Sequence, residues 1–149
     1  MKAAHTFDNG CHYEGFWRAN RRHGKGTFRW PSGTVFKGDY KNDRRNGNGE
    51  ITYPDGSVYR GEWRNDQKEG LGEFFWPGGD SYNGQFREDQ LHGTGTFRWD
   101  SNASYNGDWK YNKKDGRGKM TYKDGSIYQG QWRSNKRSGH GLLTLPNGL

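Results

Sequence analysis

A period of 23 residues runs through this sequence without insertion or deletion. In one unit, Tyr59 is followed by Gly61 and Trp63, and a glycine pair at Gly70 and Gly72 comes next. Because the same spacing recurs in every unit, the residues of all units are in phase. Such a period predicts that each unit is one supersecondary element, which buries its apolar face only against its neighbours.

The period makes the whole chain, residues 1–149, one repeat array. A half unit covers residues 1–12, and 23-residue units then start at Tyr13, Phe36, Tyr59, Tyr82, Tyr105 and Tyr128. The sequence starts and stops inside a repeat, which is the pattern that a segment excised from a longer array would show.

Each unit is predicted to be a β-hairpin. Side chains alternate with period two over Tyr59–Trp63, so the two rings and the glycine between them share one face. We predict a polar turn over Arg64–Glu69 and a second strand over Gly70–Trp76. The glycines and rings of that strand then lie on the same face as those of the first strand.

Two kinds of turn recur in phase with the strands. The third residue after the second aromatic is always Asn or Asp, which suits a tight turn with a left-handed residue. These positions are Asn20, Asp43, Asp66, Asp89, Asn112 and Asn135. The turn between units has type I chemistry and ends in a residue that tolerates positive φ. Those residues are Gly33, Gly56, Gly79, Asn102, Gly125 and Gly148.

Composition indicates how such hairpins are held together. Only 28% of the residues are hydrophobic and 16% are aromatic, while there are 25 glycines. A ring lying over a glycine on the adjacent strand would bury apolar area without branched aliphatic residues. We therefore predict an all-β fold: a single-layer, elongated and twisted antiparallel meander of stacked hairpins, open-ended and solenoid-like. It would have about thirteen strands and extend ~60 Å, with one aromatic face forming a groove and one polar face.

The Tyr59-x-Gly61-x-Trp63 pattern, the Gly70-x-Gly72 pair and the Asp55-Gly56 turn resemble the MORN (membrane occupation and recognition nexus) repeat. The resemblance covers six in-phase units and the leading half unit. It implies a single-sheet array that acts as a protein-binding scaffold near membranes and the cytoskeleton, or as a regulatory segment of a larger enzyme. It also implies phospholipid binding, for which the family was named. The Asn and Asp turn residues above stand where many members have glycine.

No catalytic residue, metal site or cofactor is predicted. The histidines form no Ser-His-Asp or Cys-His arrangement, and no Lys-Ser or Lys-Thr phosphate-loop signature follows the glycine pairs. Cys11 and His12, with His5 nearby, lack the second cysteine pair of a zinc site. As the one cysteine of the chain, Cys11 excludes an intrachain disulfide, and we expect an exposed thiol.

The aromatic face is the first candidate binding surface. We expect most of each ring to pack in the core, while its edge stays exposed and can contact a partner helix or extended peptide. The candidate groove residues are Tyr13, Trp17, Trp30, Tyr40, Trp63, Trp76, Phe86, Trp99, Trp109 and Trp132.

Cations at the hairpin tips are the second candidate surface. They recur in one phase, so we expect them along one edge of the ribbon, where they suit anionic lipid headgroups or an acidic protein. They are Arg21, Arg22, Arg44, Arg45, Lys113, Lys114, Lys136 and Arg137. Nucleic acid is disfavoured, because the rings are needed for packing rather than as stacking platforms.

The sequence thus predicts a non-catalytic scaffold that binds another protein, with recruitment to acidic phospholipids as the alternative. Self-association is expected through the terminal repeats, where strands near Ala3–Asp8 and Gly139–Leu145 leave open edges. The segment Met1–Gly10 contains no apolar stretch typical of a signal peptide. We therefore expect a cytoplasmic protein, peripheral to a membrane or the cytoskeleton.

Overall fold

A computed structural model describes residues 1–148. They form one sheet of thirteen antiparallel strands, and each strand is hydrogen-bonded to its neighbours in sequence. This confirms the predicted open meander. The described residues contain no helix, and therefore none that could span a membrane. The strands are β1 (Lys2–Thr6), β2 (His12–Arg18), β3 (Arg21–Arg29), β4 (Val35–Lys41), β5 (Arg44–Thr52), β6 (Val58–Arg64), β7 (Gln67–Phe75), β8 (Ser81–Arg87), β9 (Gln90–Arg98), β10 (Ser104–Lys110), β11 (Lys113–Thr121), β12 (Ile127–Arg133) and β13 (Lys136–Thr144).

The hairpin tips are tighter than the sequence predicted. Only Asn65 and Asp66 separate β6 from β7, so the predicted six-residue turn over Arg64–Glu69 was wrong. Both turn residues have positive φ, 48° and 69°, as a two-residue type I′ turn requires. The extra residues of β7 form a bulge, since the register shifts between Gly61 and Trp63. The second strand of each repeat therefore begins earlier than predicted.

The left-handed turn residues are confirmed at both kinds of turn. Asp66 and its equivalents have φ between 62° and 73°. Between units, Gly56 has φ 95°, and Asn102, which replaces glycine at the equivalent turn, has φ 74°. The Tyr53 carbonyl accepts from the Gly56 N–H at 3.0 Å, and the Tyr53 N–H donates to the Ser57 carbonyl at 2.8 Å.

Each repeat is packed by a tyrosine or phenylalanine over a glycine pair. Gly61 and Gly72 face each other across β6 and β7, and the Tyr59 ring covers Gly72 so closely that a Cβ there would overlap it. Tyr59 is completely buried, and its hydroxyl donates to the Glu62 carbonyl at 2.7 Å. The predicted packing of a ring over a glycine of the adjacent strand is confirmed.

The second aromatic of each repeat joins it to the repeat before. The Trp63 ring meets Phe36 edge to face, with centroids 5.2 Å apart, and meets Tyr59 in the same way at 5.3 Å. Its indole Nε1 donates to the Gly49 carbonyl at 3.0 Å. Repetition of these contacts along the sheet produces one continuous ladder of rings, so the core is shared between repeats.

Candidate functional site

The predicted groove residues occupy two layers of the aromatic face. One layer is the buried ladder, in which indole N–H groups are already bonded to backbone carbonyls. It contains Tyr13, Tyr40, Trp63, Phe86, Trp109 and Trp132, with exposures of at most 6%. The other layer is half-buried and consists of Trp30, Trp76 and Trp99. Trp17 is a ladder ring, because its indole N–H donates to the Ala3 carbonyl at 3.0 Å and its ring meets Tyr13 edge to face, but it is only half-buried beside the edge strand β1. The half-buried outer layer offers exposed ring area to a partner.

The outer layer contains rings that the candidate set omitted. Phe74 packs against Trp76 with centroids 4.4 Å apart, and Phe97 packs against Trp99 at 4.6 Å. Trp76 and Phe97 join these pairs across repeats at 5.2 Å. The 23-residue phase could have found them, since each precedes an outer tryptophan by two residues in a strand.

The structure divides the predicted tip cations between the two faces of the sheet. Because β7 starts at Gln67, strand alternation places Lys68 on the same face as Gly70 and Gly72, directly opposite Trp63. Equivalent side chains lie over rings: Arg45 is 4.6 Å from the Trp63 centroid and Lys114 is 4.7 Å from that of Trp132. We call this row the groove cations, which are Arg22, Arg45, Lys68, Lys114 and Arg137.

The turn residue of each following hairpin binds the backbone beside the groove cation. The Arg45 N–H donates to Asp66 Oδ1 at 2.8 Å, and the Asp66 N–H donates to the Arg45 carbonyl at 3.0 Å. The same reciprocal pair recurs at Lys114 and Asn135, with both bonds 2.9 Å long. We call this two-bond link the tip staple. It explains why the turn residue is Asn or Asp rather than glycine, because glycine has no side-chain acceptor.

The row of groove cations is interrupted by Leu91, which is buried against Phe86. A pocket of about 560 Å³ opens on the aromatic face at this point. Its apolar walls come mainly from the outer ring layer, and groove cations stand at its two ends. The lining residues are Lys68, Phe74, Trp76, Phe86, Asp89, Leu91, Phe97, Trp99, Trp109, Asn112, Lys114 and Asn135.

The remaining tip cations are exposed on the opposite face, and the strand partner of each is also a cation. Arg21 lies directly opposite Arg18, and Lys113 lies directly opposite Lys110. This partner row was not among the predicted tip cations, although Arg or Lys recurs in it at every repeat. We call these side chains the outer tip cations, which are Arg18, Arg21, Lys41, Arg44, Lys110, Lys113, Arg133 and Lys136. Within residues 1–148, none of them has a carboxylate oxygen within 4.0 Å.

Two of the histidines accept hydrogen bonds from the backbone, and the cysteine is buried in a turn. His23 Nδ1 accepts from the Asn42 N–H at 3.3 Å and His92 Nδ1 from the Tyr111 N–H at 3.4 Å, both at hairpin tips. The expected exposure of Cys11 was wrong: it is 5% exposed, because it occupies the turn position that Ser57 fills in a later repeat. The described part of the chain holds no group of three or more His, Cys, Asp or Glu suited to a metal ion.

Buried phenols on this face are hydrogen-bond donors rather than acids. Burial raises the pKa of Tyr59 and of Tyr82 well above the usual range. Their protonated hydroxyls donate to the carbonyls of Glu62 and Gln85. What the face offers a partner is therefore ring area and cationic charge.

Comparison with known proteins identifies the repeat. The family model for the MORN repeat matches residues 13–35, 36–58, 59–81, 82–104, 105–127 and 128–149. No curated protein sequence matches the chain.

Among solved structures, the TCP10c domain of Drosophila melanogaster Sas-4 is similar, with 17% identity and a TM-score of 0.51 over 100% of this chain and 96% of that one. The Drosophila SAS-4 TCP domain in complex with a proline-rich motif of Ana2 gives 16% identity and a TM-score of 0.49 over 99% and 80%. The TCP10 domain of Danio rerio CPAP gives 15% identity and 0.49 over 99% and 63%. At these identities the similarity is one of fold alone.

Proposed function

Because the chain belongs to the MORN repeat family, we propose that it is a non-catalytic scaffold that binds a helix or extended segment of another protein on its aromatic face. The observation that carries this proposal is the outer ring layer. Trp76 and Trp99 are only half-buried, although the ladder beneath them already closes the core. Their exposed area is not needed to complete the packing of the repeat.

The outer ring layer has the physical properties of a binding surface. Phe74, Trp76, Phe97 and Trp99 are held by contacts with one another, so little side-chain entropy remains to be lost on binding. Tryptophan and tyrosine contribute strongly to the free energy of protein association because they bury large areas. A partner that covers this layer would gain from an apolar surface that is already ordered.

Selection from a random 12-residue peptide library displayed on phage tests this proposal. We expect peptides that bind the wild-type chain and that lose about tenfold or more in affinity when Trp76 or Trp99 is changed to Ala. Phe75→Ala is the matched control, because this exposed ring lies on the opposite face beside Arg60. Peptides that bind Trp76→Ala and Trp99→Ala as tightly as the wild type would contradict the assignment of the aromatic face.

A second candidate function is recruitment to acidic phospholipids through the outer tip cations. Like charges directly opposite on adjacent strands destabilise a sheet, and within residues 1–148 neither Arg21 nor Arg18 has a carboxylate oxygen within 4.0 Å. An anionic membrane would relieve this repulsion, with each cation near the surface contributing about 1 kcal/mol. We therefore propose that the protein is cytoplasmic and lies at the periphery of a membrane or of the cytoskeleton. A regulatory segment of a larger enzyme could use the same two surfaces.

Vesicle flotation separates this candidate from protein binding. Vesicles of phosphatidylcholine with phosphatidylserine should retain the wild-type chain at low salt and lose it as salt rises. The double variant Arg21→Glu and Arg44→Glu should abolish retention. Lys119→Glu, an exposed cation remote from the tips, should not. Equal retention of the double variant and this control would rule out the outer tip cations.

Self-association through the terminal strands is a further part of the proposal. The edge strand β13 leaves Leu142 and Leu143 exposed, by 69% and 44%, and Leu145 follows it at 45%. An open edge with apolar side chains favours strand pairing between copies. Light scattering should show a mass that rises with concentration and that falls when Leu142 and Leu143 are changed to Lys. A strict monomer at high concentration would exclude it.

A further inference from the structure

The first three groove cations each have an acidic turn residue of the next hairpin beside them. Arg22 Nε lies 3.2 Å from Asp43 Oδ1, and Arg45 Nε lies 3.2 Å from Asp66 Oδ1. In both repeats the positive charge on the aromatic face has its own carboxylate. Lys68 Nζ lies 4.0 Å from Asp89 Oδ1 and continues this pattern.

The pattern then changes in two steps. Leu91 carries no charge, and the turn residue stapled to it is the amide Asn112, with the Leu91 N–H 2.8 Å from Asn112 Oδ1. Lys114 restores the charge in the next repeat, but its stapled residue is again an amide, Asn135. The turn residue stapled to the groove cation Lys114 is therefore uncharged.

In the part of the chain that the structure describes, the ammonium group of Lys114 is surrounded by aromatic rings and not by carboxylates. Its Nζ lies 4.7 Å from the Trp132 ring centroid and 5.5 Å from that of Trp99, and within residues 1–148 no carboxylate oxygen lies within 4.0 Å of it. Burial lowers its pKa, as expected for a cation that has lost water without gaining an anion. Ring faces offset only part of that loss, so a carboxylate placed here would be bound more favourably than at a cation that is already paired.

The pocket at Leu91 lies next to this charge. Its volume of about 560 Å³ is enough for a few side chains of a peptide, and its walls include Trp76 and Trp99. At the opposite end, the half-exposed carboxylate of Asp89 is already near Lys68. That end repels a second negative charge, which disfavours a polyanion or a membrane surface and favours a ligand with one acidic group next to apolar side chains.

We propose, on the basis of the proposed protein binding by the aromatic face, that this pocket takes a peptide segment presenting one Asp or Glu carboxylate to Lys114 Nζ and an adjacent apolar side chain to Leu91 and the outer rings. The register of the partner on the sheet is then set at this repeat. Arg22 and Arg45 contribute less to this register, because Asp43 and Asp66 of the chain itself already pair with them.

The same phage library tests the ligand chemistry. Peptides selected on the wild-type chain should be enriched in Asp or Glu beside an aromatic or aliphatic residue. One selected peptide and its Glu→Gln (or Asp→Asn) counterpart are then synthesised, and their affinities are measured by fluorescence anisotropy. Removing the peptide carboxylate should weaken binding about tenfold or more, as expected for a desolvated charge pair.

Two variants of the chain complete the test. Asn135→Asp gives Lys114 the internal carboxylate that Lys68 has, and it should weaken the acidic peptide about tenfold while leaving the neutral peptide unchanged. Lys114→Gln should do the same. Lys113→Gln is the matched control, because it removes the neighbouring exposed charge on the opposite face. Asn135→Asp should remain folded in thermal unfolding, since Asp forms the same staple at Asp43, Asp66 and Asp89.

Each alternative outcome has a distinct signature. Selected peptides that depend on Trp99 but show no acidic enrichment, or that bind Asn135→Asp unchanged, would overturn this inference and leave the proposed function standing. A failure to select any peptide that depends on Trp76 or Trp99 would remove both. Phosphatidylserine vesicles that lose binding with Asn135→Asp would identify a lipid occupant instead, and a wild-type dimer that this variant dissociates would identify a second copy.

Discussion

At the residue scale, the stability of the sheet depends on pairs that consist of an aromatic ring and a glycine of the adjacent strand. Tyr59 covers Gly72 on the adjacent strand and ties its hydroxyl to the Glu62 carbonyl. Phe36 occupies the same place without a hydroxyl and is equally buried. The ring body is therefore what this position requires, and the hydrogen bond satisfies the polar end of tyrosine once it is buried.

A methyl group at Gly72 tests this pairing. Gly72→Ala should lower the free energy of unfolding by about 1–3 kcal/mol or more, because the Cβ would overlap the Tyr59 ring in a packed core. Gly78→Ala is the control, since a Cβ at Gly78 meets nothing within 4 Å, and its effect should stay within about 0.5 kcal/mol. Urea denaturation measures both. Equal effects would mean that Tyr59 can move aside at little cost.

At the scale of the element, the hairpin tip links one repeat to the next. Its two turn residues adopt positive φ, and the second of them, Asp66, exchanges two backbone-linked hydrogen bonds with Arg45 of the preceding hairpin. This position therefore needs a residue that tolerates the left-handed region and carries a short side-chain acceptor. Asn and Asp meet both needs.

A graded series at Asp66 separates the contributions to the tip staple. Asp66→Asn keeps the staple and loses only the ion pair with Arg45, so the free energy of unfolding should fall by less than about 1 kcal/mol. Asp66→Gly keeps the backbone conformation but leaves the Arg45 N–H without its acceptor, which costs about 1–3 kcal/mol. Asp66→Ala adds about 1–2 kcal/mol for positive φ. Thermal or urea unfolding gives the order, and a Gly variant as stable as the Asn variant would show that the side-chain bond of the staple contributes nothing.

At the scale of the whole molecule, the array behaves as a one-dimensional stack. Each strand pairs only with its neighbours in sequence, and each buried ring contacts rings of its own repeat and of the adjacent one. Stability should then be a sum of repeat and interface contributions. The chain should tolerate the loss of one full period at any phase.

Deleting residues 94–116 tests this additivity. The cut joins Gly93 to Arg117 and removes one period of 23 residues, so every remaining side chain keeps its face. We expect a folded, all-β protein with a lower melting temperature, observed by circular dichroism. Deleting 94–115 instead leaves one extra residue inside a strand, which reverses the faces beyond the junction and should prevent cooperative unfolding. Similar behaviour of the two deletions would contradict a register set by the period.

The sequence predicted most of the fold and part of the site. The period assigned Tyr59, Gly61, Trp63, Gly72 and Phe74 to one face, because strand alternation is a local property. It also predicted the left-handed turn residues, since φ preferences belong to single residues. It missed the side of the sheet on which Lys68 lies, because the strand was assumed to begin at Gly70.

By itself, the sequence determined the repeat, the meander, the ring-over-glycine core and the family. All of these follow from residue types at fixed local spacing. Only the tertiary structure decided that half of the tip cations lie among the rings, that Asp66 pairs with Arg45 while Asn135 leaves Lys114 uncompensated, and that a pocket opens at Leu91. The physical reason is register: the two-residue turn and the bulge fix where each second strand begins, and the partners of a groove cation come from the next repeat, which no local pattern specifies.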